Sequence, residues 1–328
     1  MKSAQDSSYR WVILAVSTLG FMQTHIHRVG FAPLIPTFIA DLGLSYAAAG
    51  AIMTAYFWTY TAVQIPIGVF TDRWGARRVM IVFMAILALG VVAFPLSQSY
   101  GQSLFSRALV GLGAAAVWVP GMRLLSEWFP ARERGWVTGI LSAGGGLGGT
   151  FGLLIIPLLA DRWGWRIGYA TTLIPVLLTL VLIVLFVRAV EGSADAGGHV
   201  HAPGNLGALW QVLATRDLWP FNITVLLFYG AYFSLITWMP AFLVKHLSLS
   251  SSQAGFVTSL MTAGTIVSWP LAGLLSDRLG RRKAIFLVSQ ALSCLVSLLF
   301  AWVVPGLSLW GAAAVALGTG IVLGGMIT

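Results

Sequence analysis

The chain has 328 residues, of which 58% are apolar and only 9% charged, and its mean hydropathy is +0.88; an average soluble domain is about 25% charged. So few charges cannot hold this surface in water, which excludes a soluble globular protein and leaves the integral membrane class. The net charge of +9 does not point to nucleic acid, because the basic residues lie in short turns between apolar runs and form no basic face.

A helix needs about 20 apolar residues to cross a bilayer. In chain order the expected spans are 11–39, 46–69, 79–97, 103–126, 135–159, 167–189, 218–243, 253–275, 284–303 and 308–328. The first has no small-residue cleavage pattern and reads as an uncleaved span. Gly- and Ala-rich spans with scattered Pro suit close helix packing in lipid, and the absence of alternating strand patterns argues against a β-barrel. The single cysteine, Cys294, excludes disulfides and cysteine-based metal sites. His199 and His201 stand in the long connection Val190–Asp217 and are not read as a metal site. That connection divides an N-terminal six-span half, 1–190, from a C-terminal part, 218–328, with 191–217 as the central loop.

The remaining connections fall into two alternating sets. One holds the N-terminus, the 70–78 turn, WFPARERG, the central loop and SDRLGRRK. With the adjoining helix ends it carries fourteen Lys and Arg, against three, Arg162, Arg166 and Lys245, in the other set. The positive-inside rule makes the first set cytoplasmic.

Two turns of that set repeat a pattern, G-x-x-x-D-R-x-G-x-R-(R/K). The first copy is Gly68, Asp72, Arg73, Gly75, Arg77 and Arg78; the second is Gly273, Asp277, Arg278, Gly280, Arg282 and Lys283, with Arg281 opposite Ala76. Each follows the second span of its half, as an internal duplication requires. Gly68 and Gly273 are expected to let helices approach closely, and Gly75 and Gly280 to permit the turn. The aspartates can face a helix N-terminus or an arginine. A cytoplasmic gate is the reading; a topology signal alone is the plainer alternative.

These turns resemble the cytoplasmic loop motif of the major facilitator superfamily, as do RALVGLGAAA (107–116), SEWFPARERG (126–135) and TWMPAFLVKHLSLSSSQAG (237–255). The resemblance implies an all-α polytopic membrane protein with two six-helix halves that moves a solute by alternating access. Twelve spans are then expected, and ten are found, so the second half is expected to lack its last two helices and Asp72 its partner. Ala76 stands where the motif usually has an arginine.

Intramembrane polar residues should face a cavity or a partner. Arg28 lies deep in the first span, with His25 on its face and His27 turned away; Arg107 lies about one turn inside the fourth. Tyr56, Tyr60 and Gln64 form a stripe at i, i+4 and i+8. The seventh span offers Asn222, Tyr229 and Phe233, with Tyr232 and Trp238 nearby, and the eighth Thr258, Thr262 and Thr265. The stretches HRVGFAPLIPTFIADLGLS and AYFWTYTAVQIPIGVFTDRWGARRV are similar to the organic anion/cation symporter branch. There a first-helix arginine holds the substrate carboxylate, which implies Arg28 as anion contact. The branch's carboxylate after the fourth-helix arginine is replaced by Ala114, so a coupling proton would fall to His25 or His27; sodium coupling is the other option.

The expected substrate contacts are thus Arg28, His25, His27, Tyr56, Tyr60, Gln64, Arg107 and Tyr229. The expected protein is a monomeric, non-enzymatic transporter of a small organic anion in a bacterial inner membrane, with its N-terminus cytoplasmic. It takes no cofactor or metal, and its partners are the bilayer and the solute, without nucleic acid. A non-transporting truncated carrier or sensor stays open, as do carriers of nitrate or nitrite, sugars or drugs.

Overall fold

The computed structural model describes residues 8–188, 215–279 (side chains to 268), 306–323 and isolated positions between 288 and 302. Among the described residues the regular structure is helical. In chain order the helices are α1 Arg10–Val29, α2 Ile35–Leu42, α3 Tyr46–Ala62, α4 Gln64–Trp74, α5 Ala76–Ala93, α6 Tyr100–Ala114 and α7 Trp118–Trp128. There follow α8 Arg134–Trp163, α9 Trp165–Ala170, α10 Leu173–Phe186, α11 Trp219–Leu247, α12 Ser251–Leu279 and α13 Leu309–Leu323. Among the described residues, five helical stretches are long and apolar enough to cross a membrane: Ala76–Ala93, Tyr100–Trp128, Ala131–Trp163, Trp165–Phe186 and Asn222–Leu247.

Several expected spans are broken, and proline explains where. A proline cannot donate to the carbonyl four residues earlier, and its ring crowds that carbonyl. Pro33 would need Val29, where α1 ends; Pro66 would need Ala62, where α3 ends. Pro120 and Pro175 would need Ala116 and Thr171, which fall within the α6–α7 and α9–α10 breaks. The rule is permissive, because Pro157 and Pro240 lie inside α8 and α11, which run on through them.

Glycine seams bring backbones together. Gly144, Gly148 and Gly152 recur every four residues on α8 and face Thr18, Met22 and Ile26, spaced likewise on α1. An added Cβ would stand 2.5 Å from Thr18 Cγ2, 2.9 Å from Ile26 O, and against the carbonyl of Met22. Small residues at helical spacing are how membrane helices attract one another without a hydrophobic drive. The seam sets α1, and with it Arg28, beside α8. Gly68 does not act so: a Cβ there would meet nothing within 4 Å. The close approaches of the first half come instead from α6 and α8, where Gly111 meets the Tyr56 carbonyl and Gly148 that of Met22.

Polar contacts gather at two faces. On one, Arg10 pairs with Glu133 at 3.0 Å, Tyr9 donates to Phe186 O at 2.8 Å and Arg77 to Val184 O at 2.6 Å. On the other, Arg166 pairs with Asp41 and donates to Ser97 O at 3.2 Å. Between them large side chains face outward, among them Trp58, Phe105, Ile174 and Leu226, each about 70% exposed. In water so much exposed apolar surface would drive association; in lipid it is the solvated surface.

The first charged turn is built as the sequence reading expects at Gly75, whose φ of 79° and ψ of 149° suit only glycine. Asp72 is not without a partner: it lies 3.8 Å from Arg123, which also bonds Glu127 at 2.7 Å. The i, i+4 spacing of Arg123 and Glu127 accounts for that arrangement. Arg73 and Arg78 are exposed. In the second copy Gly273, Asp277 and Arg278 belong to α12 by backbone only, while Gly280, Arg281 and Arg282 lie outside the described residues, as do His199, His201 and Cys294.

Candidate functional site

A cavity of about 570 Å³ opens between the two parts of the chain. From the first half α1 supplies Phe21, His25, Arg28 and Val29, α3 supplies Tyr60, α7 Trp118, and α8 Ser142, Gly145, Gly146 and Gly149. From the second, α11 supplies Tyr229, Tyr232, Phe233 and Ile236, and α12 supplies Thr262 and Thr265. Among the described residues no carboxylate belongs to this lining, and Arg28 is its one permanent charge.

Arg28 is held by rings. Its guanidinium carbon lies 4.6 Å from the Tyr60 ring centre and 5.8 Å from that of Phe233, within range of cation–π attraction. Its Nη1 approaches His25 Nε2 at 3.4 Å. The other ring nitrogen of His25 lies 3.3 Å from the Phe21 carbonyl, which can only accept. Nδ1 therefore carries the proton, and Nε2 is free to accept from the guanidinium. Arg28 Nε is buried without a hydrogen-bond partner, a donor left for something that enters the cavity. An arginine's planar fork suits a carboxylate or similar oxyanion.

Four of the eight expected contacts line this cavity: His25, Arg28, Tyr60 and Tyr229. The others do not. His27 is fully buried behind it; Nδ1 donates to Gln23 O at 2.9 Å and Nε2 meets the Thr172 hydroxyl at 3.0 Å. The 100° per residue of an α-helix turns it away from Arg28. Tyr56 is fully buried, donates to Thr24 O at 3.1 Å and backs the Tyr60 ring. Gln64 leaves the stripe because the helix breaks at Val63, which resets the register before α4 begins.

Arg107 is sealed inside the first half. It donates to His27 O at 3.0 Å and to Tyr169 OH at 3.2 Å, and packs on the rings of Phe31, Tyr56 and Phe94. Its setting is an aromatic box with carbonyl, hydroxyl and Met53 sulfur acceptors and, among the described residues, no carboxylate; its Nε has no partner. Of the threonine face on the eighth span, Thr262 and Thr265 reach the cavity while Thr258 turns its hydroxyl to Ala254 O. Thr262 also meets Thr150 of α8 at 3.0 Å, joining the two halves.

Phe21, Val29, Trp118, Ser142 and Ile236, with the α8 glycines, line the cavity beyond the residues that the sequence singles out. Phe21 lies one helical turn before His25, so the spacing that pairs His25 with Arg28 would have found it. Trp118 follows the α6–α7 break, and no periodic pattern carries across a break.

An all-helical membrane protein with one cationic, carboxylate-free cavity between two halves belongs to the solute carriers in architecture. The family is specific: the Major Facilitator Superfamily model matches residues 13–328, and the chain belongs to that superfamily. It is 27% identical over 267 residues to a probable 4-methylmuconolactone transporter of Cupriavidus pinatubonensis, covering 79% of this chain and 61% of that one. It is 25% identical over 286 residues to a probable sulfoacetate transporter of Cupriavidus necator, covering 83% and 66%. The chain thus spans about three fifths to two thirds of these relatives' lengths. Among solved structures, a bacterial homologue of the human lysosomal transporter Spinster, inward-facing and unoccupied, superposes with a TM-score of 0.80 at 19% identity, over 98% of this chain and 75% of that one.

Proposed function

We propose that this chain forms the transport core of a secondary carrier that moves a small organic anion by alternating access, with Arg28 as the charge partner. The observation that carries the reading is the buried, unpartnered Arg28 Nε in a cavity whose lining holds no acid. A cation held away from water and left without a counter-ion is costly, and an incoming anion offsets that cost. The relatives named for 4-methylmuconolactone and sulfoacetate support the class.

Residues 1–190 and 218–328 are the two rocking halves, joined by the 191–217 loop. The N-terminus and the 70–78 turn face the cytoplasm, as the bias of fourteen basic residues against three favours, in a bacterial inner membrane. Symport is the coupling mode, and His25 is its proton carrier: once protonated it loses the lone pair that accepts from Arg28.

Uptake into proteoliposomes tests the substrate class. Small carboxylates and sulfonates should enter, and their uncharged amides should not. Equal uptake of acid and amide would remove the anion reading.

A further inference from the structure

The turn after α8 repeats, letter for letter, the turn after α4. Asp72-Arg73-Trp74-Gly75 recurs as Asp161-Arg162-Trp163-Gly164. The two glycines also share a backbone conformation, φ 79° and ψ 149° in one, φ 85° and ψ 157° in the other. Each ends one helix and starts the next. Yet the turns lie on opposite faces, the first with the N-terminal cluster and the second with Asp41 and Ser97. A tetrad repeated three crossings later, on the other face, is what an inverted repeat nested within a half produces.

The two copies differ in what the aspartate holds. Asp72 is folded back on Arg123 of its own half, and its side chain is 60% exposed. Asp161 reaches into the second half. Its Oδ2 accepts from the backbone N–H of Ser252 at 2.9 Å, in the first turn of α12. That turn is otherwise closed by a capping box: Gln253 N donates to Ser250 Oγ at 3.2 Å, and Ser250 N to Gln253 Oε1 at 3.0 Å. Ser252 N is a donor the box leaves free, and the carboxylate that fills it also meets the positive end of the helix. One turn further along α12, Gly255 lies on the carbonyl of Leu153 and the ring of Pro157. The polar contact therefore caps a backbone seam between the halves.

We propose that Asp161 is a latch between the halves on the face of the α8–α9 turn. It holds that face shut in the arrangement seen here and releases when cavity access reverses. The inference rests on the two-half rocking proposed above. The tetrads would act as a pair, one engaged across the halves while the other is folded back.

Spin-label distances in nanodiscs test it, using the full chain with Cys294→Ala. Labels go at Gln98→Cys in the first half and Ser308→Cys in the second. Both sites are exposed, and Ser308 lies near the start of α12, where Trp310 packs on Phe256. The parent should give one short distance. Asp161→Ala should raise the ratio of long to short distances about fivefold, as loss of a helix cap implies, and Asp161→Asn by less, since it keeps an acceptor. Asp72→Ala should leave this distance as it was. Gly255→Leu, a wedge in the seam, should open the same face without touching the carboxylate. If the wedge opens the face and Asp161→Ala does not, the latch is wrong and the rocking stands. If neither variant gives a longer distance, both are wrong.

Discussion

Arg28 and Arg107 are the two arginines set inside the membrane region of the first half, and their surroundings are opposites. Arg28 is half-buried at the cavity, covered by one ring from each half, with a donor left over. Arg107 is fully buried among rings that all belong to the first half; its Nη atoms donate to a backbone carbonyl, a tyrosine hydroxyl and the Met53 sulfur, and its Nε, like that of Arg28, has no partner but lies away from the cavity. The same residue type therefore stands in two settings: one guanidinium lines the cavity, the other is enclosed by the first half. What separates them is whether the second half contributes to the shell.

Truncation separates the two most sharply. Arg107→Ala empties a space beneath Phe31, Tyr56 and Phe94 and strands Tyr169 and His27 O. The expected loss is about 3–5 kcal/mol, as for other large-to-small core changes, read as a fall in the unfolding midpoint in detergent. Arg107→Met should recover most of it, because a buried charge replaced by an apolar side chain of similar volume is often neutral. Arg28→Met should do the reverse. Its unfolding midpoint should stay near the parent's while anion uptake falls about 100-fold, the scale of a lost pair of charged hydrogen bonds. Transport that survives Arg28→Met, or dies in a stable Arg107→Met, would collapse the distinction.

The adjacent histidines repeat the contrast on a smaller scale. His27→Ala removes two buried hydrogen bonds and leaves Gln23 O and the Thr172 hydroxyl short of a partner. A loss of stability of about 1–3 kcal/mol follows. His25→Ala should spare stability and change uptake, with its pH dependence flattened if this ring carries the proton. A pH profile that shifts in the His27 variant and not in the His25 variant would reverse that assignment.

Much of this was legible in the sequence. Apolar run length gave the class, the repeated charged turn gave the architecture, and the His25–Arg28 spacing put two residues on one face. The failures have two causes, broken helices and contacts remote in sequence. Helical periodicity holds only while the helix is unbroken, so Gln64 was lost at Val63, where Pro66 interrupts the register. Arg107 is polar and deep, as a site residue would be, and only tertiary packing shows that Tyr169 and His27 enclose it. Asp72 was expected to want a distant helix, yet Arg123, on the nearby α7, satisfies it. The recurrence at 161–164 is visible as text, but its partner at Ser252 is a contact between segments remote in sequence.

A third arginine extends the comparison into water. Arg166 stands at the start of α9, about 37% exposed, and pairs with Asp41, about 41% exposed, while lying over the Trp165 ring. The hydrogen bond from Arg166 holds the Asp41 carboxyl below its usual range, with Trp165 helping. A carboxylate whose pKa is depressed by folding adds stability above its unfolded value, and that stability is lost as pH falls through the folded one. The window therefore lies below about pH 4, the ordinary aspartate value. Solvent screening limits the worth of so exposed a pair to less than about 1 kcal/mol. Asp41→Asn should accordingly lower the unfolding midpoint slightly at pH 7, and the difference from the parent should shrink progressively as pH falls below about 4. A difference that does not change with pH below about 4 would mean that Asp41 acts through packing. In that case position in the membrane would not grade the three arginines by charge.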